Sequence, residues 1–272
     1  PEELSLDWVG RYVPKPKLED VVDGALGLHD EEVGYNATFR YPTKGGINVL
    51  PNAVADRLSR LRLEHEVARV HLGEGWLELA DGDRLPWTKL LSTISLPALV
   101  DHIVDELPEE VSEARRALRW VRVLNLALGV EGPAPSAEHW LYFPDPELPF
   151  YRVGFPSNHG DLAPAGCHTV SVEVSLDPGE GDVEGLADAA QRALVAAGLL
   201  DEENLQVRRV SVLDPAYVVF DHSRKAAVAL LRGYLRDHGV KLAGRWAEWK
   251  YSAMEDAVLD GMRAARSVGD AG

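Results

Sequence analysis

Only one cysteine, Cys167, occurs in 272 residues, so no internal disulfide and no cysteine-rich metal site can form. That usage suits a reducing compartment, and a cytoplasmic location is expected. Basic residues are the next shortage: 28 Lys and Arg stand against 44 Asp and Glu, a net charge of −16. Such a balance argues against nucleic acid or an anionic membrane as the main partner. An anionic ligand would need a local arginine cluster working against that field. No apolar run approaches the length of a membrane span. A Gly-x-Gly-x-x-Gly loop, the usual dinucleotide phosphate cradle, is also missing. The nine histidines show no pair at metal-binding helical spacing, and no metal is expected.

What the chain has is core material: 46% of its residues are hydrophobic, enough for one large domain or two intimate ones. Asn48 to Leu61 carries apolar residues at helical spacing. Glu66 to Val70 and Gly75 to Leu79 read as a hairpin. Lys89 to Ile94 is expected to be a strand running through Ser95 into a helix over Pro97 to Leu107, with a second helix over Glu109 to Leu118. Strands are expected over Val121–Val130, His139–Phe143, Phe150–Phe155, Thr169–Ser175 and Gln206–Leu213. Helices are expected over Val183–Ala197 and Ser223–Asp237. Strands and helices that mix without strict alternation predict an α/β class with α+β character.

Two motif-like strings fail on inspection. Gly179 to Gly185 has the wrong spacing for a dinucleotide loop and reads as an acidic turn entering a helix. Ser157 is not bracketed by glycines as a nucleophile elbow requires. Three stretches are more telling. Phe39-Arg40-Tyr41-Pro42 leads to the turn Gly45-Gly46, where a backbone can approach a ligand closely. Trp140, Tyr142, Tyr151 and Phe155 lie on expected strands beside Arg152, the makings of a platform for a planar or anionic ligand. Near the end, Gly244-Arg245-Trp246 to Trp249-Lys250-Tyr251 precedes a helix opening near Ser252. Glu255 and Asp256 fall in its first turn, at the positive end of the dipole. The plainest reading of that helix alone is amphipathic, with Met254, Val258, Met262 and Ala265 on one face.

In order along the chain, these segments resemble the flavin amine oxidase and protoporphyrinogen oxidase superfamily, and most of all UDP-galactopyranose mutase of the eukaryotic type. They are Asp7-Trp8-Val9 with Pro14 and Pro16; Asn36 to Pro42 through Gly45-Gly46; Leu90 to Leu96; Trp140 to Pro144 through Arg152 and Ser157-Asn158; and Gly244-Arg245 through Tyr251. The resemblance implies a partial FAD/NAD(P)-binding Rossmann-like domain plus a mixed-sheet substrate-binding domain. Residues 1–30 would end a helical substrate-side region and linker, and 31–95 would form part of the FAD-binding domain. Residues 96–220 would be the substrate domain, and 221–272 the C-terminal FAD-contacting segment. The implied cofactor is FAD, and the implied chemistry is pyranose–furanose isomerisation of a UDP-sugar through a flavin N5 adduct. Arg152 and Arg245 would neutralise the diphosphate. Tyr142, Tyr217 and Tyr251 would hydrogen-bond the phosphates or sugar, and Trp140 and Asn158 would line the pocket. Gly45, Gly46, Gly244, Met254, Glu255 and Asp256 would meet the flavin. The alternatives are a hydride-transferring oxidoreductase of the superfamily and a non-catalytic module derived from one. Two departures stand out: Arg11 and Tyr12 look displaced by one position, and the glycine fingerprint is absent. The expected partners are therefore a nucleotide sugar or other small molecule, with no nucleic acid, and either an N-terminal half missing from this sequence or further copies of the chain in a homo-oligomer.

Overall fold

A computed structural model describes residues 2–7, 9, 16–28, 39–176, 179 and 181–269. Trp8, Arg11, Tyr12, Pro14 and the Asn36–Thr38 stretch lie outside the described residues. Helices α1 (Leu18–Ala25) and α2 (Val49–Ala55) precede strands β1 (Val67–His71), β2 (Trp76–Leu79) and β3 (Arg84–Pro86). Strand β4 (Leu90–Ser92) leads to α3 (Leu96–Asp101) and α4 (Glu109–Arg116). Next come β5 (Trp120–Glu131), β6 (Trp140–Tyr142), β7 (Arg152–Gly154), a 3-10 turn at Pro156–His159, and β8 (Cys167–Leu176). Helix α5 (Val183–Ala196), β9 (Leu205–Val218), α6 (Arg224–Asp237), β10 (Val240–Leu242), α7 (Gly244–Ala247) and α8 (Met254–Gly269) follow.

The chain divides into two compact units, each discontinuous in sequence. The first takes residues 1–11, 62–120 and 217–272; the second takes 12–61 and 121–216. In the first, β1, β2 and β3 form an antiparallel sheet, and β4 and β10 form a parallel pair with Leu91 opposite Lys241. Its core packs α3 and α4 against α6, with Leu96, Leu99, Val111, Leu231 and Leu235 all but fully buried beside Trp249. Glu109 and Glu110 open α4 and Arg115 and Arg116 close it, charges that complement the helix dipole. The helix expected to reach Leu107 ends at Asp101, because the next residues are drawn into pairing with β1. The Val70 N–H donates to the His102 carbonyl at 2.8 Å, and the Val104 N–H to the Val70 carbonyl at 3.1 Å.

The second unit is built on a five-stranded sheet in the order β6-β7-β8-β5-β9. Period-two alternation puts Leu124, Leu126, Leu128 and Val130 of β5 on one face, with Val170, Val172 and Val174 of β8 beside them. Helix α5 covers that face with Ala187, Ala190 and Leu194. Burying a side chain such as Leu194 stabilises the unit by about 1.5–3 kcal/mol. The acidic turn before α5 is a cap, with Asp182 Oδ1 accepting from the Gly185 N–H at 3.0 Å. Helix α2 stops at Ala55, short of the expected Leu61, and none of its residues is buried. A helix without a packed face has little to extend it.

Helix α8 turns differently from its amphipathic reading. Met254, Val258 and Met262 are about half exposed, and the buried residues are Asp260 and Ala264. The stripe is reversed because Lys250 and Arg263 pair with Asp260 and hold that carboxylate inward.

Candidate functional site

In the first unit the chain leaves β10 and turns at Gly244, whose φ of +86° is a left-handed value that suits glycine. Arg245 follows at once on α7. Its guanidinium carbon lies 4.7 Å from the Tyr251 ring, 4.9 Å from the Trp246 ring and 5.4 Å from the Tyr217 ring. Its Nη1 donates to the Ser252 carbonyl at 3.4 Å. Three rings around one guanidinium favour the charge and fix its place, at about 0.5–2 kcal/mol per ring. The sequence-predicted residues Tyr217, Gly244, Arg245 and Tyr251 thus form one cluster.

The segment joining α7 to α8 is held from below by Trp249 and Lys250 of the motif together with Arg224, Glu248 and Asp260, to which the motif reading gave no role. Trp249 is fully buried, sits at a φ of +50°, and meets Trp120 edge-on at 5.8 Å. Its carbonyl accepts from Arg224. The Lys250 ammonium lies between Glu248 and Asp260, 3.0 Å from Asp260 Oδ1 and 2.8 Å from Oδ2. Burial alone would lower the Lys250 pKa, but hydrogen bonds to Asp260 and Glu248 outweigh it and raise it above the ordinary lysine value. Asp256 Oδ2 accepts from the Ala253 N–H at 2.8 Å and so caps α8, while Met254 and Glu255 are exposed in its first turn. Ser252 is buried, and its hydroxyl has no hydrogen-bond partner among the described residues.

In the second unit Gly45 and Gly46 take φ values of +78° and +69°, which a side chain would strain. Their turn is tied by the Ile47 N–H, which donates to the Tyr41 hydroxyl at 3.2 Å. It lies against Gly160, where an added Cβ would sit 3.0 Å from the carbonyl oxygens of Pro42 and Thr43. Trp140 belongs to an aromatic group with Phe39, His139 and His159, whose ring centroids are 4.5–6.1 Å apart. Burial and the neighbouring His139 lower the pKa of His159. Asn158 Nδ2 donates to the carbonyls of Ser136 at 2.9 Å and Glu138 at 2.6 Å, pinning that loop.

Tyr142 and Arg152 are register partners on β6 and β7, and the guanidinium carbon lies 6.0 Å from the Tyr142 ring. Arg152 also pairs with Glu173 of β8, which accepts from the Tyr151 hydroxyl as well. Glu173 was not foreseen. Its signal was the alternation of β8, which sets it on the face opposite Val172 and Val174. Elsewhere on this unit lies an open cavity of about 480 Å³ lined by apolar groups including Ala127, Leu162, Pro164 and Val207. Among the described residues no cluster of His, Cys, Asp and Glu could hold a metal ion. None of the described helices is long and apolar enough to cross a membrane.

Among the solved structures that share this fold are a mutase and a proposed oxidase. Reduced UDP-galactopyranose mutase matches with a TM-score of 0.81 at 22% identity, over 91% of this chain and 55% of its own. A protein from Exiguobacterium sp. 255-15, proposed to be a protoporphyrinogen oxidase, matches with a TM-score of 0.60 at 18% identity, over 82% of this chain and 51% of its own. The chain thus spans about half the length of the structures it matches. The expected class, α/β with α+β character, is the class observed. The family model of flavin containing amine oxidoreductase matches residues 18–269, nearly the whole chain, and the chain belongs to that family.

Proposed function

We propose that this chain is part of an FAD-dependent enzyme that isomerises a nucleotide sugar between pyranose and furanose forms, in the manner of UDP-galactopyranose mutase. The observation that carries the reading is Arg245 held among Tyr217, Trp246 and Tyr251. A guanidinium on an aromatic platform suits a phosphate, which it can grip with two parallel hydrogen bonds. Tyr217 and Tyr251 would add their hydroxyls. In the second unit Trp140, Tyr142, Arg152 and Asn158 are the proposed substrate contacts, and Glu173 keeps the Arg152 guanidinium oriented.

The residues present fit a flavin. The buried Ser252 hydroxyl, without a partner among the described residues, suits the polar edge of an isoalloxazine ring beside the first turn of α8. Gly244, Met254, Glu255 and Asp256 of the first unit are the proposed flavin contacts, as are Gly45 and Gly46 of the second. When bound, FAD supplies an electron-rich centre able to react at the sugar. Location in the cytoplasm is part of the same proposal.

Titrating UDP against the intrinsic tryptophan fluorescence tests the substrate side. Arg245→Ala is expected to weaken binding by about 10–100-fold. Equal affinity in the two proteins would refute the assignment. Turnover of UDP-galactopyranose with reduced FAD, followed by chromatography of the product, tests the reaction. A second reading, an oxidoreductase acting on an apolar substrate, is favoured by the 480 Å³ apolar cavity of the second unit.

A further inference from the structure

The first unit carries a concentration of positive charge that the chain as a whole opposes. Along α6, Arg224, Lys225, Arg232 and Arg236 line two clefts of about 350 and 370 Å³ that share Arg232, Arg236 and Glu248. Lys241 of β10, Lys250 and Arg263 complete the basic lining. The carboxylates among them are Glu248 and Asp260, so seven cations face two anions in a protein whose net charge is −16. Both carboxylates are engaged at the bottom, where Lys250 binds both, Arg263 reaches Asp260, and Arg232 stands 3.9 Å from Glu248. Among the described residues Arg236 pairs with its chain neighbour Asp237 alone, at 2.9 Å, and 72% of its side chain is exposed. Arg232 and Arg236 also sit four residues apart on one helix, a like-charge spacing that weakens a helix unless an anion lies between them.

We propose that this groove binds an oligophosphate, a ligand with three or more closely spaced negative charges. Arginine forks match phosphate oxygens in pairs. Salt screens the distant negative charge of the chain, so short-range contacts decide: a single anion meets one or two guanidinium groups, whereas linked phosphates can meet several at once. The inference does not depend on the Arg245 cluster.

Calorimetric titration of the chain with inorganic tripolyphosphate at low salt tests it. Saturable binding is expected, and Arg232→Gln with Arg236→Gln should weaken it by about 30-fold or more. Arg57→Gln with Arg60→Gln removes the same charge from exposed positions of the other unit and should change it by less than about two-fold. Arg245→Ala, which the functional reading needs for UDP, should leave tripolyphosphate affinity unchanged. A parallel titration with ATP separates sources. Tighter binding of ATP assigns the groove to a nucleotide, and equal binding assigns it to free oligophosphate. Absence of saturable binding, or equal losses in the Arg232/Arg236 and Arg57/Arg60 variants, would overturn the proposal.

Discussion

Replacing Asp260 with Asn probes the clasp under the arginine–aromatic cluster. The side chain is 2% exposed and binds Lys250 and Arg263, while Lys250 also binds Glu248. Removing one partner of a fully enclosed ion pair costs about 3–5 kcal/mol. Here Lys250 and Arg263 keep 30% and 65% exposure, so water can solvate the abandoned cations and the cost falls to about 2 kcal/mol. That corresponds to a fall of about 4–8 °C in the melting temperature, read by calorimetry and far-UV circular dichroism. Asn preserves the shape, so the loss isolates the charge. The pH dependence gives a second readout. Because pairing raises the Lys250 pKa, its stabilisation is complete below the unfolded lysine value and is lost as pH rises through the higher folded value. Wild type should therefore lose more stability on alkaline titration than the Asn variant. A melting temperature within about 1 °C of wild type, with an unchanged alkaline profile, would refute the reasoning.

Asp105 offers the acid-side counterpart. Burial would raise its pKa, but the N–H groups of Leu72 and Gly73 donate to it at 2.7 and 3.0 Å and leave it below the ordinary carboxylate value. Its stabilisation is present above the unfolded pKa and lost as pH falls through the folded one. Asp105→Asn should thus flatten the acid limb of the melting profile, and an identical limb would contradict the assignment. In the second unit, Glu173→Ala removes the carboxylate that Arg152 and the Tyr151 hydroxyl share and should cost about 2 kcal/mol in urea unfolding, with Glu173→Gln costing less. Equal costs would contradict this, because Gln keeps an acceptor oxygen and loses only the charge.

The second unit was the more legible because its signals are local. Leu124, Leu126, Leu128 and Val130 alternate with smaller or polar residues, and β5 runs through all of them. Asp182 announces α5 by its capping chemistry. Gly45, Gly46 and Gly244 mark turns because few other residues accept their φ values. Arg245 with Tyr251 was legible as a short run of side chains able to meet. Tyr217 came from the family resemblance, and the structure sets it at the same guanidinium across 28 positions of sequence. Partners distant in sequence were hidden. Glu173 meets Arg152 only through strand pairing, and Asp260 meets Lys250 only once α8 has turned that one carboxylate inward. The apolar face read for α8 is present, but it is not the face this unit buries. Hydrophobic periodicity assumes that the apolar stripe is the buried one, and a paired carboxylate can reverse it.

Strands β4 and β10 show how far such effects reach. They pair in parallel, Val240 with Leu90 and Leu242 with Ser92, although everything from Thr93 to Gly239 separates them. A parallel pair always needs a crossover, and here that crossover includes α3, α4, the whole 121–216 segment and α6. Two three-residue strands cannot stand alone in water. Their support comes from the helices of the same unit, since Leu90, Val240 and Leu242 pack into the core of Leu96, Leu231 and Trp249. The same pairing delivers β10 to Gly244, where the chain turns into Arg245. The position of the candidate arginine is therefore set by contacts between segments remote in sequence. A change at Leu90 or Leu96 should disturb Arg245 as surely as a change in the loop that carries it.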